Sequence, residues 1–257
     1  MTVRVLVIGI GSGNVDHLTR EAVAALNQVD VFLVADKGTA KHDLVALRTE
    51  ICRAVIENDH YRVVEVPDPE RDRSDYVDGV RAWHSARASA YADLIRTEVA
   101  PDGTVGFLVW GDPALYDSTI RIVESVAGLG VDLELTVIAG ISSVSLLAAR
   151  HRIALNRIGQ PVHITTGRRL VAEYSPDLGD VVVMLDGDLA CGALVQRHPD
   201  LQIYWGAQIG MPDEALVAGR LASVIDDIRD TRARIRAARG WVMDTYLLRP
   251  VAGQTLG

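Results

Sequence analysis

The sequence predicts an α/β protein, and three observations carry that prediction. Strand-like and helix-like segments alternate through the first half of the chain. The strand-like runs there are apolar at almost every position, as in strands covered on both faces. Glycine-bearing loops at residues 9–14 and 110–116 close two of these runs, as expected where parallel strands feed helices. Repeated units of this kind imply right-handed crossovers and a mainly parallel sheet.

In order along the chain, the run 3–8 is a strand broken only by Arg4. A helix is expected from about 17 to 28, capped by Asn14 or Asp16. Its buried stripe is Leu18, Ala22, Ala25 or Leu26, and Val29. A second strand (31–35), a second helix (about 42–57, with Leu44, Leu47, Ile51 and Val55 inward) and a third strand (63–66) follow. A charged loop through Asp68, Arg71 and Arg73 leads into a long helix, 76–98, with Tyr76, Val80, Trp83, Ala90 and Leu94 on one face. Arg87 falls on that stripe and is expected to carry its head group to the rim, or else to point it into a cavity. Strand 105–109 and helix 118–127, with Ile122, Val123 and Val126 apolar, complete the regular part.

The second half is less regular. Strands are expected at 131–138, 162–165, 181–185, 201–205 and 241–248, while 215–221 is ambiguous. The arginine-rich segment 225–239 reads as a solvated helix face. Proline and glycine interrupt the pattern at 156–161, where composition alone puts a domain break.

With 257 residues, the chain has material for one large domain or two small ones. A formal net charge of −8 argues against nucleic acid as the main partner. No apolar run reaches the ~18–20 residues that span a bilayer. The N-terminus enters a strand pattern directly, without the cationic and apolar segments of a secretory signal, so a cytoplasmic protein is expected. Cys52 and Cys191 belong to no CxxC pair and read as free, buried thiols. The seven histidines show no metal-ligand spacing, so no metal site is expected.

The loops carry the chemistry. Gly9 and Gly11 could admit a dinucleotide pyrophosphate at a helix N-terminus, and Asp36 stands where a ribose-binding acid would. Against that, Asn14 replaces the third glycine of the fingerprint; a plain structural turn is the other reading. In the second loop Gly111 permits close backbone approach, Pro113 delays helix entry, and Tyr116 follows Asp112 by one helical turn, where it can wall a pocket. A third turn, 139–143, offers the hydroxyls of Ser142 and Ser143 at a helix start.

Taken together, the loop through Gly9, Gly11, Gly13 and His17, the Gly111, Asp112, Pro113 and Tyr116 loop, and the turn through Gly140, Ser142 and Ser143 resemble the tetrapyrrole methylase family over nearly the whole chain. Further blocks, at 36–38, 68–73 and 165–170, resemble one branch of that family. The resemblance implies two α/β domains, 1–116 with a mainly parallel sheet and 117–257 with a mixed sheet, and a cofactor lying between them. It implies a homodimer that transfers a methyl group from S-adenosylmethionine to C1 of precorrin-5, releasing acetate, in cobalamin biosynthesis. The cofactor residues implied are Trp110, Gly111, Asp112, Tyr116, Ser142, Ser143, Met184, Leu185 and Ala207. Carboxylate arms on such a substrate suit arginine forks, and the substrate candidates are Gly11, Ser12, Asn14, Lys37, Arg71, Arg73, Arg168 and Arg169. For acetate release, His17 is the first candidate base, ahead of Asp16 and Asp36.

Overall fold

A computed structural model of the chain describes residues 2–36, 42–69 and 76–251. It divides into two compact units, Met1–Ser142 and Ser143–Gly257. The first contains β1 (Val3–Gly9), α1 (Arg20–Leu26), β2 (Val31–Asp36), α2 (His42–Val55), β3 (Arg62–Pro67), α3 (Tyr76–Glu98), β4 (Thr104–Val109), α4 (Thr119–Gly128) and β5 (Leu133–Ile138). Its five strands form one sheet in the order β3-β2-β4-β1-β5, and every pairing is parallel.

The all-apolar strands are explained by what lies on each face. Val5 and Val7 of β1, with Val105 and Phe107 of β4, pack with Tyr91 and Ile95 of α3 and Ile122 and Val126 of α4. The alternate residues, Leu6 and Ile8, with Phe32 and Leu108, pack with Ala22 and Leu26 of α1 and Ile51 of α2. The inner strands β1 and β4 thus bury both side-chain sets, Arg4 apart, as a parallel sheet between helix layers requires, whereas the edge strands β3 and β5 are largely exposed or half-buried.

Two local expectations are corrected. The helix expected from about residue 17 begins later: Val15–His17 is a single 3-10 turn, Leu18 and Thr19 are extended, and α1 starts at Arg20. Thr19 is the cap, its hydroxyl accepting from Ala22 N at 3.0 Å, while Asn14 caps only the 3-10 turn. Arg87 neither reaches the rim nor points into a cavity. It is buried, its Nε 2.8 Å from Asp68 Oδ1 and its guanidinium 4.2 Å from the centroid of the Trp83 ring.

The second unit contains α5 (Ser143–His151), β6 (Val162–Thr166), α6 (Gly167–Glu173), β7 (Asp180–Met184), β8 (Gln202–Ala207), β9 (Ala215–Arg220), α7 (Leu221–Arg239) and β10 (Asp244–Arg249). The sheet order is β6-β7-β10-β8-β9. Only β6 and β7 are parallel; β10 runs antiparallel to both β7 and β8, and β9 antiparallel to β8. The ambiguous stretch is therefore strand β9. Trp205 and Tyr246 anchor the core with Leu170 of α6 and Ile225 and Ile228 of α7. Arg232 breaks the expected solvated face of α7, being buried against this core.

The boundary implied at 116/117 falls inside the first unit, because β5 pairs with β1 in continuous register and so extends the first sheet. The break that composition puts at 156–161 falls inside the second unit.

Candidate active site at the carboxyl edge of the parallel sheet

Strands β4, β1 and β5 are neighbours and run the same way, so their carboxyl ends and following loops share one edge. In open α/β sheets this is the edge where ligands bind. Here the loops interlock through main chain. Gly11 N donates to Gly111 O at 3.2 Å and Gly111 N to Gly11 O at 2.7 Å. Both glycines hold positive φ, +62° and +67°, which an unbranched backbone without Cβ adopts at little cost. The third loop is pressed equally close: a Cβ on Gly140 would lie 2.1 Å from Gly111 O, and one on Gly9 would lie 2.5 Å from Gly140 N.

Asp112 ties these loops together. One carboxylate oxygen accepts from Ala114 N at 2.8 Å and the other from Gly140 N at 3.0 Å. Its side chain serves the loop junction. Tyr116 has φ +52° and is 45% exposed. Ser142, half-buried, closes the unit.

In the first loop Ser12 Oγ lies 2.6 Å from His17 Nδ1. The 3-10 turn returns the chain to Ser12, helped by Asn14 Oδ1, which accepts from Asp16 N at 2.9 Å. Asp16 itself is exposed. Asp36 ends β2, and its side chain lies outside the described residues, as do Lys37, Arg71 and Arg73 altogether.

Sequence reasoning missed Arg48. Its guanidinium lies 5.1 Å from the centroid of the Trp110 ring, and its Nε donates to Leu108 O at 3.3 Å. Burial lowers its pKa to about 10, with Asp117 opposing that shift, so it stays cationic at neutral pH. The available signal was its place four residues after Leu44 and beside Leu47, on the apolar stripe of α2. Among the described residues, Trp110 Nε1 and Arg87 Nη2 are buried and meet no hydrogen-bond partner.

In the second unit, Met184 ends β7 and Leu185 follows with φ +53° and 66% exposure. Buried side chains hold this loop from below. Asp186 accepts from Asp188 N (3.1 Å), Ala190 N (2.8 Å) and the Tyr246 hydroxyl (2.5 Å). Arg232 donates to the carbonyls of Asp186 (2.8 Å) and Gly187 (2.7 Å) and, through Nε, to Asp244 Oδ2 (2.9 Å). Trp205 Nε1 donates to the same Asp244 oxygen at 3.0 Å. Ala207 is fully buried at the end of β8, and Ser143 opens α5. Arg168 and Arg169 are exposed in the first turn of α6. Arg169 is ion-paired with Glu173, and that hydrogen bond holds the carboxyl below its usual range.

Of the sequence candidates, Gly11, Ser12, Asn14, Asp16, His17, Trp110, Gly111, Asp112, Tyr116 and Ser142 lie on the loops of this one edge. Among the described residues, no three or more His, Cys, Asp or Glu side chains gather as a metal would need. No helix among them is long and apolar enough to cross a membrane.

Comparison with known proteins follows this geometry. The family model of the tetrapyrrole (corrin/porphyrin) methylases matches residues 4–225. A precorrin-6A synthase [deacetylating] from Sinorhizobium sp is 46% identical over 249 residues, 96% of this chain and 95% of that protein. The crystal structure of a cobalamin synthesis related protein (CobF) from Corynebacterium diphtheriae superposes with a TM-score of 0.84 at 37% identity, covering 97% of this chain and 99% of that one. A uroporphyrin-III C-methyl transferase from Thermus thermophilus, complexed with S-adenyl homocysteine, shares the fold at a TM-score of 0.57 and 20% identity, covering 96% and 92%.

Proposed function

The chain belongs to the tetrapyrrole (corrin/porphyrin) methylases, and from that premise we propose that it is a precorrin-6A synthase. It methylates precorrin-5 at C1 with S-adenosylmethionine as donor and releases acetate. The observation that carries this reading is the 46% identity, sustained over nearly the full length of both chains, to a precorrin-6A synthase [deacetylating].

The site residues fit such a donor. Gly9, Gly11 and Gly140 leave no room for a Cβ where the loops meet, and Tyr116, on the second loop, is exposed. When bound, S-adenosylmethionine supplies a methyl group already activated on a positively charged sulfur. The protein then needs to hold the acceptor carbon in line, so orientation is its main contribution. Trp110, Gly111, Asp112, Tyr116 and Ser142 would hold the donor, Asp112 by fixing the loops. Ser143, Met184, Leu185 and Ala207 are proposed to contribute from the second unit. Gly11, Asn14, Lys37, Arg71, Arg73 and Arg168 are proposed for the substrate and its carboxylate arms. Arg169 joins them only if it exchanges Glu173 for a substrate carboxylate. The enzyme is proposed to work as a homodimer in the cytoplasm.

Incubation with precorrin-5 and S-adenosylmethionine tests this reading. A methylated ring lacking the two-carbon unit, with acetate in equal amount, is expected; neither product appearing overturns it. Calorimetry should find binding of S-adenosylhomocysteine and none of NADH. The reverse would move the chain to dinucleotide chemistry.

A further inference from the structure

We propose that Ser12 and His17 form the acyl-cleaving pair of this enzyme, with Ser12 Oγ as nucleophile and His17 Nδ1 as its base. The proposal rests on the precorrin-6A synthase reading and gives its acetate-releasing half a site. Release of a two-carbon acyl unit from a ring carbon requires a nucleophile at the acyl carbonyl. Neither thiol suits the task, because burial pushes Cys52 up to about 11 and Cys191 up to about 12.

The first loop is built to make this pair. Ser12 Oγ and His17 Nδ1 are 2.6 Å apart, within the reach that a hydroxyl and its base need. Glycines with φ +62° and +96° flank Ser12, at Gly11 and Gly13. A Cβ on Gly11 would lie 2.8 Å from His17 O and 2.9 Å from His17 Cβ, so His17 packs directly on a residue without a side chain. Asn14 fixes the turn that returns the imidazole to the hydroxyl. Both side chains are half-buried, held yet open to a ligand. Gly11 is bridged to Gly111, so the hydroxyl sits one residue from the junction of the first two loops. A methyl acceptor seated on this edge would have its ring carbon near both chemistries.

Oγ bonds to the acyl carbonyl carbon while its proton passes to Nδ1. Collapse of the tetrahedral oxyanion breaks the bond between that carbon and the ring. The conjugated ring keeps the electron pair, which forms the new bond to the methyl group as the methyl–sulfur bond breaks and S-adenosylhomocysteine is left. Nδ1 passes the proton it took from Oγ to solvent. Water then adds to the acetyl ester on Ser12 as the freed Nδ1 takes a proton from that water. Nδ1 returns this proton to the ester oxygen as the acyl bond to Oγ breaks, and acetic acid leaves.

The test follows acetate and ring methylation separately, with precorrin-5 and S-adenosylmethionine. Ser12→Ala should slow acetate release on the order of 10³-fold, while S-adenosylhomocysteine affinity, read by calorimetry, stays within about twofold. His17→Gln should slow it comparably. Ser12→Ala releasing acetate at the wild-type rate overturns the proposal, as does loss of release on His17→Gln alone, which would leave water as nucleophile. If Ser12→Ala fails to fold, acid-quenched turnover of the wild-type enzyme and of Ser12→Cys decides by peptide mass spectrometry. An acetyl group on the peptide carrying residue 12 is expected, and its absence from both enzymes overturns the pair. A wild-type enzyme that yields neither acetate nor methylated ring instead sinks the reading beneath it.

Discussion

At the carboxyl edge of β4, β1 and β5 the loops are locked largely by main chain, whereas the loop after β7 is gripped by side chains from α7 and β10. In the first unit a Cβ on Gly9 or Gly140 would collide with the neighbouring loop and one on Gly11 with His17, and two amide–carbonyl bonds and one carboxylate close the junction. In the second, Arg232 spends its guanidinium on two loop carbonyls and on Asp244. Both solutions hold a polar loop in fixed shape. The first depends on the absence of atoms. The second exposes an apolar tip at Leu185 and depends on a charge pair taken out of water, which is costly to break.

The largest test of that contrast is Arg232→Met. It strands Asp244 in the core and should cost about 3–5 kcal/mol, read as a lowered urea midpoint. Burial raises the Asp244 pKa, with Arg232 opposing, so this carboxyl binds its proton more readily folded than unfolded. Its charged form therefore disfavours folding at neutral pH, and the penalty fades as pH falls through the raised folded pKa. In Arg232→Met the opposing charge is gone, so the stability deficit should shrink as the pH falls below neutral. A deficit that grows on acidification would mean that the carbonyl contacts, and not the buried charge, hold the loop.

Gly140→Ala comes next. Its Cβ would meet Gly111 O, a backbone atom, and the neighbours must shift, at about 1–3 kcal/mol. S-adenosylhomocysteine affinity should fall roughly tenfold or more, about 1.4 kcal/mol. Arg232→Met, by contrast, should shift affinity less than it shifts stability. Unchanged affinity in Gly140→Ala would break the link between the glycine lock and the ligand. Thr19→Ala should lower stability by about 1 kcal/mol through loss of the α1 cap, whereas Asp16→Ala should leave thermal unfolding essentially unmoved. The smallest expected signal is cysteine labelling. With thiols near 11 and 12, the thiolate at about pH 8 is roughly one part in a thousand or fewer. Iodoacetamide should leave the native protein unmodified by mass spectrometry.

Legibility also differs between the units. The inner strands of the first sheet, β1 and β4, were readable because they are sandwiched between helix layers, which selects apolar residues on both faces. The three glycine loops were readable because positive φ and close approach select glycine almost alone. Strand β9 was ambiguous because it alternates between half-buried and exposed positions, too weak a pattern in Ala215–Arg220 to exclude a helix. Arg87 and Arg48 stand on apolar helix stripes, but the sequence does not say what each arginine meets: Asp68 for Arg87, the Trp110 ring for Arg48, Asp244 for Arg232.

The sequence by itself determined the alternation of elements, the parallel character of the first sheet, and the positions where the chain must turn tightly. Those properties follow from local periodicity and from the sterics of single residues. Only the tertiary structure decided that β10 inserts between β7 and β8, that Asp112 spends its carboxylate on loop closure, and that Ser12 meets His17. Each depends on which groups come within hydrogen-bonding range once the chain has folded back. That selection is made by the packed whole, so no window of sequence contains it.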